Sequence, residues 1–181
     1  KVTEGLLDEF GERRVRDTPI SENTIVGTGI GAAMGGLRPV VAIYSPFLCR
    51  AFDQVNLDVA LHGQPVVFCV DRAGMGGDDG PSAHGLLDLV LLSKVPGMTI
   101  FAPSSYRELG VMLHDALDLC DGPATIRWAK TACPSVPEDE VGSDLRGRKV
   151  RAGRDLCLLA VGKMLGAAEA AAEQLAAEGI E

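Results

Sequence analysis

Hydrophobic residues in this chain fall into two alternating patterns, short unbroken runs and segments with helical spacing. The runs are PVVAI (39–43), PVVFCV (65–70), MTIFAP (98–103), ATIRW (124–128) and LCLLAV (156–161). Runs of this length, rich in Val and Ile, predict parallel strands covered on both faces. The segments between them are long enough for crossover helices. AFDQVNLDVALHG (51–63) is amphipathic and stops at Gly63. SSYRELGVMLHDALD (104–118) opens with Ser105 and Glu108 at the spacing of a capping box. An Ala-rich helix is predicted over about 163–178, ended by Gly179. Together these elements predict an α/β fold, a doubly wound parallel sheet.

The pattern fails between 131 and 153. TACPSVPEDEVGSDLRGRKVRAG is rich in Pro, Gly and mixed charge and holds no apolar period. It predicts a linker between a domain at 1–130 and the start of a second unit at 154–181. That second unit has one run and one helix, so it is expected to be incomplete. The chain also opens within a helix-like segment, so the first domain is expected to lack its opening strand.

Composition narrows the possible functions. The 181 residues are 46% hydrophobic with only 4% aromatic, and 22 are Gly, which suits tight turns and close helix–sheet contacts. The net charge of −8 argues against partnership with nucleic acid or an anionic membrane surface. No apolar run reaches the roughly 18 residues of a membrane span. The first residues carry no signal-peptide pattern. Five scattered cysteines without a CxxC pair read as buried, reduced thiols of a cytoplasmic protein.

Chemistry is expected beyond the carboxyl ends of the strands, where open parallel sheets bind ligands. YSPFLCR (44–50), DRAGMGGDDG (71–80) and AKT (129–131) occupy those positions. They carry Tyr44, Phe47, Arg50, Arg72, Asp78, Asp79 and Lys130, a set suited to a ring-shaped cofactor and a phosphorylated substrate. Each has an ordinary alternative. The aromatic pair can be edge packing, the arginines can pair with Asp53 and Asp71, and GGDDG can be a turn. His62 and His114 lie on amphipathic helices and read as surface residues, whereas His84 closely follows the Gly-rich loop. Glu22 is the one charged side chain between Asp17 and Arg38. Offsetting a helix macrodipole would be worth under about 1 kcal/mol, too little to explain that isolation. Gly27, Gly29 and Gly31 follow, and their expected use is close packing.

AIYSPFLCRAFDQVNLDVAL, PVVFCVDRAGMGGDDGPSAHG and VPGMTIFAPSS resemble 1-deoxy-D-xylulose-5-phosphate synthases. DTPISENTIVGTGIGAAMGGLRPV resembles, equally, the beta subunit of thiamine-dependent 2-oxoacid dehydrogenases. Both groups are transketolase-like. The resemblance implies a pyrimidine-binding domain followed by the first part of a transketolase C-terminal domain. It implies thiamine diphosphate and Mg2+ as cofactors, with Glu22 bonded to a ring nitrogen of the aminopyrimidine and Ile20, Tyr44 and Phe47 around it. Arg50, Arg72 and Lys130 would meet the phosphate of glyceraldehyde 3-phosphate, and Asp79 its hydroxyl end. The reaction would join that acceptor to pyruvate with loss of carbon dioxide, feeding isoprenoid, thiamine and pyridoxal synthesis. His84 would be catalytic, although the family places its histidine where Ala83 stands here. Ligands for the metal and diphosphate are expected in an N-terminal half or separate subunit, in a homodimer. The alternatives are a dehydrogenase beta-type subunit that passes an acyl group to a lipoyl partner, or a non-catalytic binding module.

Overall fold

The structure, a computed structural model, describes residues 3–142 and 144–181. The first two positions of the expected domain and position 143 of the expected linker lie outside the described residues. The chain begins with a short helix, α1 (Leu6–Phe10), whose side chains are all exposed. It is followed by α2 (Glu22–Met34), β1 (Val40–Tyr44) and a helical turn α3 (Ser45–Leu48). α3 runs through a 3-10 turn (Cys49–Ala51) into a wider π-type segment (Gln54–Ala60). Next come β2 (Val67–Asp71), α4 (Asp88–Leu92), β3 (Thr99–Phe101), α5 (Tyr106–Asp118) and β4 (Ala124–Arg127). A last helix, α6 (Leu165–Ala177), follows the irregular stretch after β4.

All four strands are parallel, in the order β1-β2-β4-β3. Alternation along β2 sends Phe68 and Val70 to one face and Val67 to the other, so both faces acquire a core. On one face Val26, Val41, Val55, Val59, Phe68 and Leu92 pack together. On the other, Val67, Phe101, Ala124 and Ile126 meet Ala116 and Cys120 from α5 and the turn after it. Helices therefore cover both faces, and the α/β fold expected from the runs is the one observed.

The predicted capping box at α5 is present in altered form. Ser105 Oγ accepts from the Glu108 backbone N–H, but the Glu108 carboxylate bonds Ser104 N–H (2.6 Å) and Ser104 Oγ–H (2.8 Å). The helix expected at 51–63 forms with π-type spacing, and Gly63 ends it at φ 58°. Val55 and Val59, four residues apart, both face the core. Close packing explains Gly29 alone: a Cβ there would lie 2.8 Å from Val41 Cγ2, whereas Gly27 and Gly31 face open space.

Two expectations need correction. LCLLAV (156–161) forms no strand. Its apolar side chains are exposed, Leu159 to 92%, and no neighbouring strand offers it a ladder. A strand covered on both faces is a property of the sheet around it, and here that sheet is absent. The cysteines are all free, but only Cys120 is buried; Cys49, Cys69 and Cys133 are half-buried and Cys157 is exposed. Burial still pushes the Cys69 thiol up to about 11. No helix among the described residues is long and apolar enough to cross a membrane.

Candidate functional site

The strand order brings together three loops that are far apart in sequence. β1, β2 and β4 are consecutive neighbours, so their carboxyl ends and the loops after them converge. Tyr44 pairs in register with Asp71, and Val70 with Arg127. The pairing continues past the strands: Trp128 N–H donates to Val70 O, and Ala73 N–H donates to Trp128 O. α2 reaches β1 through only five residues, so helix and strand run antiparallel. Gly29 lies against Val41 near the start of β1. The start of α2, and Glu22 with it, is thereby brought to the end of the sheet where Tyr44, Arg72 and Lys130 stand.

Tyr44 and Phe47 are stacked, with ring centroids 5.6 Å apart. Both remain partly exposed. The Arg72 guanidinium lies 3.7 Å over the Tyr44 ring, close enough for a cation–π contact. Arg72 has φ 61°, a left-handed conformation that costs a residue with a Cβ roughly 1–2 kcal/mol. Asp71 compensates by accepting from the Arg72 backbone N–H (2.6 Å) and from Nη1 (2.7 Å). Arg72 Nε donates to Asp79 Oδ2 at 2.9 Å, and Lys130 Nζ donates to Asp79 Oδ1 at 2.5 Å. One carboxylate thus bridges two cations from the loops after β2 and β4.

The charges respond accordingly. Partial desolvation works against the Arg72 cation, but the Asp79 hydrogen bond and the charges of Asp71, Tyr44 and Asp79 outweigh it and raise its pKa. The hydrogen bond from Lys130, then that from Arg72, holds the Asp79 carboxyl below its ordinary value. Of the two pairings weighed for the arginines, Arg72 does pair with Asp71. Arg50 is exposed and has no ion-pair partner among the described residues.

The Gly-rich loop is closed at its base. Gly74 N–H donates to Gly85 O (2.7 Å), and Gly85 N–H donates to Gly74 O (2.9 Å) and Arg72 O (3.1 Å). Any side chain at Gly85 would collide, because its Cβ would sit 2.1 Å from Ser45 Oγ and 2.4 Å from Arg72 O. Within the loop, Gly76 N–H donates to His84 Nδ1 at 2.9 Å. Beyond it, Arg127 and the buried Asp88 form a 2.6 Å ion pair that ties β4 to the start of α4.

Among the other residues singled out in the sequence, Glu22 is half-buried in the first turn of α2. Its side chain makes no hydrogen bond or ion pair among the described residues. Ile20 is 95% exposed just before that helix. His62 and His114 are exposed, as expected of surface residues. The Arg127–Asp88 pair and the Ser45–Gly85 contact went unread in the sequence. Neither has a local signal, since each joins residues about 40 positions apart. Among the described residues no cluster of three or more His, Cys, Asp or Glu side chains is arranged to hold a metal ion.

Comparison with known proteins shows the family and the fold. The family described as transketolase, pyrimidine binding domain, matches residues 1–135. The chain is 44% identical over 189 residues to the 1-deoxy-D-xylulose-5-phosphate synthase of Mycobacteroides abscessus, covering 96% of this chain and 28% of that protein. It is 45% identical over 179 residues to the synthase of Chlorobium luteolum, covering 97% and 28%. It therefore spans little more than a quarter of the length of the curated relatives it matches. Among solved structures, a split-gene transketolase described as an inactive beta4 tetramer superposes with a TM-score of 0.87 at 25% identity, over 99% of this chain and 58% of that one. A transketolase variant from Pichia stipitis shares the fold, with a TM-score of 0.75 at 19% identity over 88% of this chain and 24% of its own. The chain belongs to the transketolase pyrimidine-binding family, and within it resembles the 1-deoxy-D-xylulose-5-phosphate synthases.

Proposed function

We propose that this chain forms the pyrimidine-facing and acceptor-facing side of a thiamine-diphosphate-dependent 1-deoxy-D-xylulose-5-phosphate synthase. The observation that carries the reading is the convergence at the ends of β1, β2 and β4. There a stacked aromatic pair stands beside two cations that share one carboxylate. The residues present fit the aminopyrimidine half of the cofactor. Phe47 and Tyr44 offer flat apolar faces, and Glu22 is a carboxylate with no hydrogen-bond or ion-pair partner among the described residues, at the same end of the sheet. Phe47, Tyr44 and Ile20 would hold the ring, and Glu22 would share a proton with a ring nitrogen. When bound, thiamine diphosphate supplies the carbon nucleophile and the electron sink for decarboxylating pyruvate. The metal and diphosphate would be held by another half or subunit.

On the acceptor side, Arg50 keeps its full charge for the phosphate of glyceraldehyde 3-phosphate. Asp79 and Asp71 together offset the charges of Arg72 and Lys130, so this cluster suits hydroxyl groups as well as an anion. Residues 131–153 would act as a linker and 154–181 as the start of a transketolase C-terminal domain. In a homodimer these surfaces would be covered. The split-gene transketolase, inactive as a beta4 tetramer, supports the view that a chain of this architecture needs its other half.

The test combines this chain with a thiamine-diphosphate-binding half, pyruvate, glyceraldehyde 3-phosphate and Mg2+. Formation of 1-deoxy-D-xylulose 5-phosphate is expected from the mixture and not from the chain alone. Acyl transfer to a lipoyl domain without that product would make it a dehydrogenase beta-type subunit. No turnover in either assay, with cofactor binding also absent, would make it a binding module.

A further inference from the structure

The loop from Gly74 to Gly85 is pinned at its base by the paired glycine hydrogen bonds and carries Asp79 near its middle. Between base and middle one side chain spans it. His84 Nδ1 accepts the Gly76 backbone N–H at 2.9 Å, while the His84 backbone N–H donates to Pro81 O at 3.3 Å. A ring nitrogen that accepts a backbone N–H carries no proton, so a neutral His84 is protonated on Nε2. Gly76 precedes the 3-10 turn Gly77–Asp79 directly, so fixing Gly76 fixes where that turn starts. Asp79 closes the turn and bonds Arg72 and Lys130.

We propose that His84 is a positioning residue, whose Nδ1 sets the span of the loop and so the placement of Asp79 between Arg72 and Lys130. The substrate consequence rests on the reading of those three residues as the acceptor site; the positioning role itself does not. A positioned acceptor atom is all the role requires. Asn can place Oδ1 close to where His places Nδ1, so Asn can replace His in this role and Ala cannot. Proton transfer makes the opposite demand, because an amide does not titrate.

The experiment has two arms. In the 15N-labelled chain, the His84 ring nitrogens should show the Nε2–H tautomer. His84→Ala should speed Gly76 amide exchange by about tenfold, the effect of losing one hydrogen bond, and His84→Asn should restore it to within about twofold. Unchanged exchange in His84→Ala, or a ring protonated on Nδ1, would overturn the proposal. In the reconstituted enzyme, His84→Ala should raise the acceptor KM about tenfold with kcat within about twofold, and His84→Asn should recover both. Collapse of kcat shared by Ala and Asn would overturn positioning in favour of proton transfer. If the reconstituted enzyme makes no product at all, the functional reading fails while the exchange arm still decides the role of His84.

Discussion

Residues 17–130 and residues 144–181 draw on the same kinds of amino acid and reach opposite states. The first region buries Val26, Val55, Phe68, Val70 and Ile126 completely. The second leaves every residue from 151 to 161 exposed, and α6 has no buried residue. LCLLAV is as apolar as PVVFCV, so composition does not separate them. PVVFCV has parallel neighbours on both sides and helices on both faces, and LCLLAV has neither. A strand buried on both faces is a collective object, and its stability resides in contacts that the run itself does not contain.

The comparison predicts which substitutions act on chemistry, which on the fold, and which on neither. The largest effect is expected at Glu22, where Glu22→Ala should slow cofactor C–H/D exchange in the reconstituted enzyme by about 10²–10⁴-fold. The fold should lose less than about 1 kcal/mol, the value of one acid in a first turn. Exchange by NMR together with urea denaturation checks both statements, and exchange at the wild-type rate would remove Glu22 from its role.

Next come the cores. Phe68→Ala should cost about 3–5 kcal/mol of unfolding free energy, whereas Leu159→Ala should stay within about 0.5 kcal/mol. If denaturant melts showed equal losses, the two regions would not differ as described.

Arg50→Ala is expected to raise the KM for glyceraldehyde 3-phosphate by about 2–4 kcal/mol equivalents, with pyruvate affected much less. An equal loss with non-phosphorylated glyceraldehyde would show that Arg50 does not meet the phosphate.

The smallest effect concerns Asp79. Its folded pKa is lowered from 3.8, so near pH 4 the folded chain binds fewer protons than the unfolded one. The bridge to Arg72 and Lys130 therefore contributes fully above about pH 4 and is lost as pH falls through the lower folded value. Arg72, whose pKa is raised, stays charged throughout. An Asp79 carboxyl signal titrating at or above 3.8 would show that the bridge does not form in solution.

Much of the fold was legible because strands and the α5 cap leave local marks. The four runs of the first region, Ser105 with Glu108, and the stops at Gly63 and Gly179 are written in neighbouring residues. Strand order is not. Nothing in ATIRW announces that β4 inserts between β2 and β3, yet that insertion carries Lys130 to Asp79. The candidate residues could therefore be named, but not their partnerships. Arg72 read as a phosphate ligand or as a partner of Asp71, and the structure gives it Asp71, a second carboxylate from Asp79 and a left-handed backbone. LCLLAV shows the converse, a clear local mark whose partners are missing.

Closing the Gly74–Gly85 loop at its base separates two kinds of evolutionary freedom. The clasp itself tolerates almost nothing, since Gly85 has no room for a methyl group. The span between its ends meets the end of the sheet through Asp79, and lengthening such a loop by one residue changes its closure entropy by only about 0.1 kcal/mol. A clasped loop of this kind confines change to the span between its ends while the sheet stays fixed.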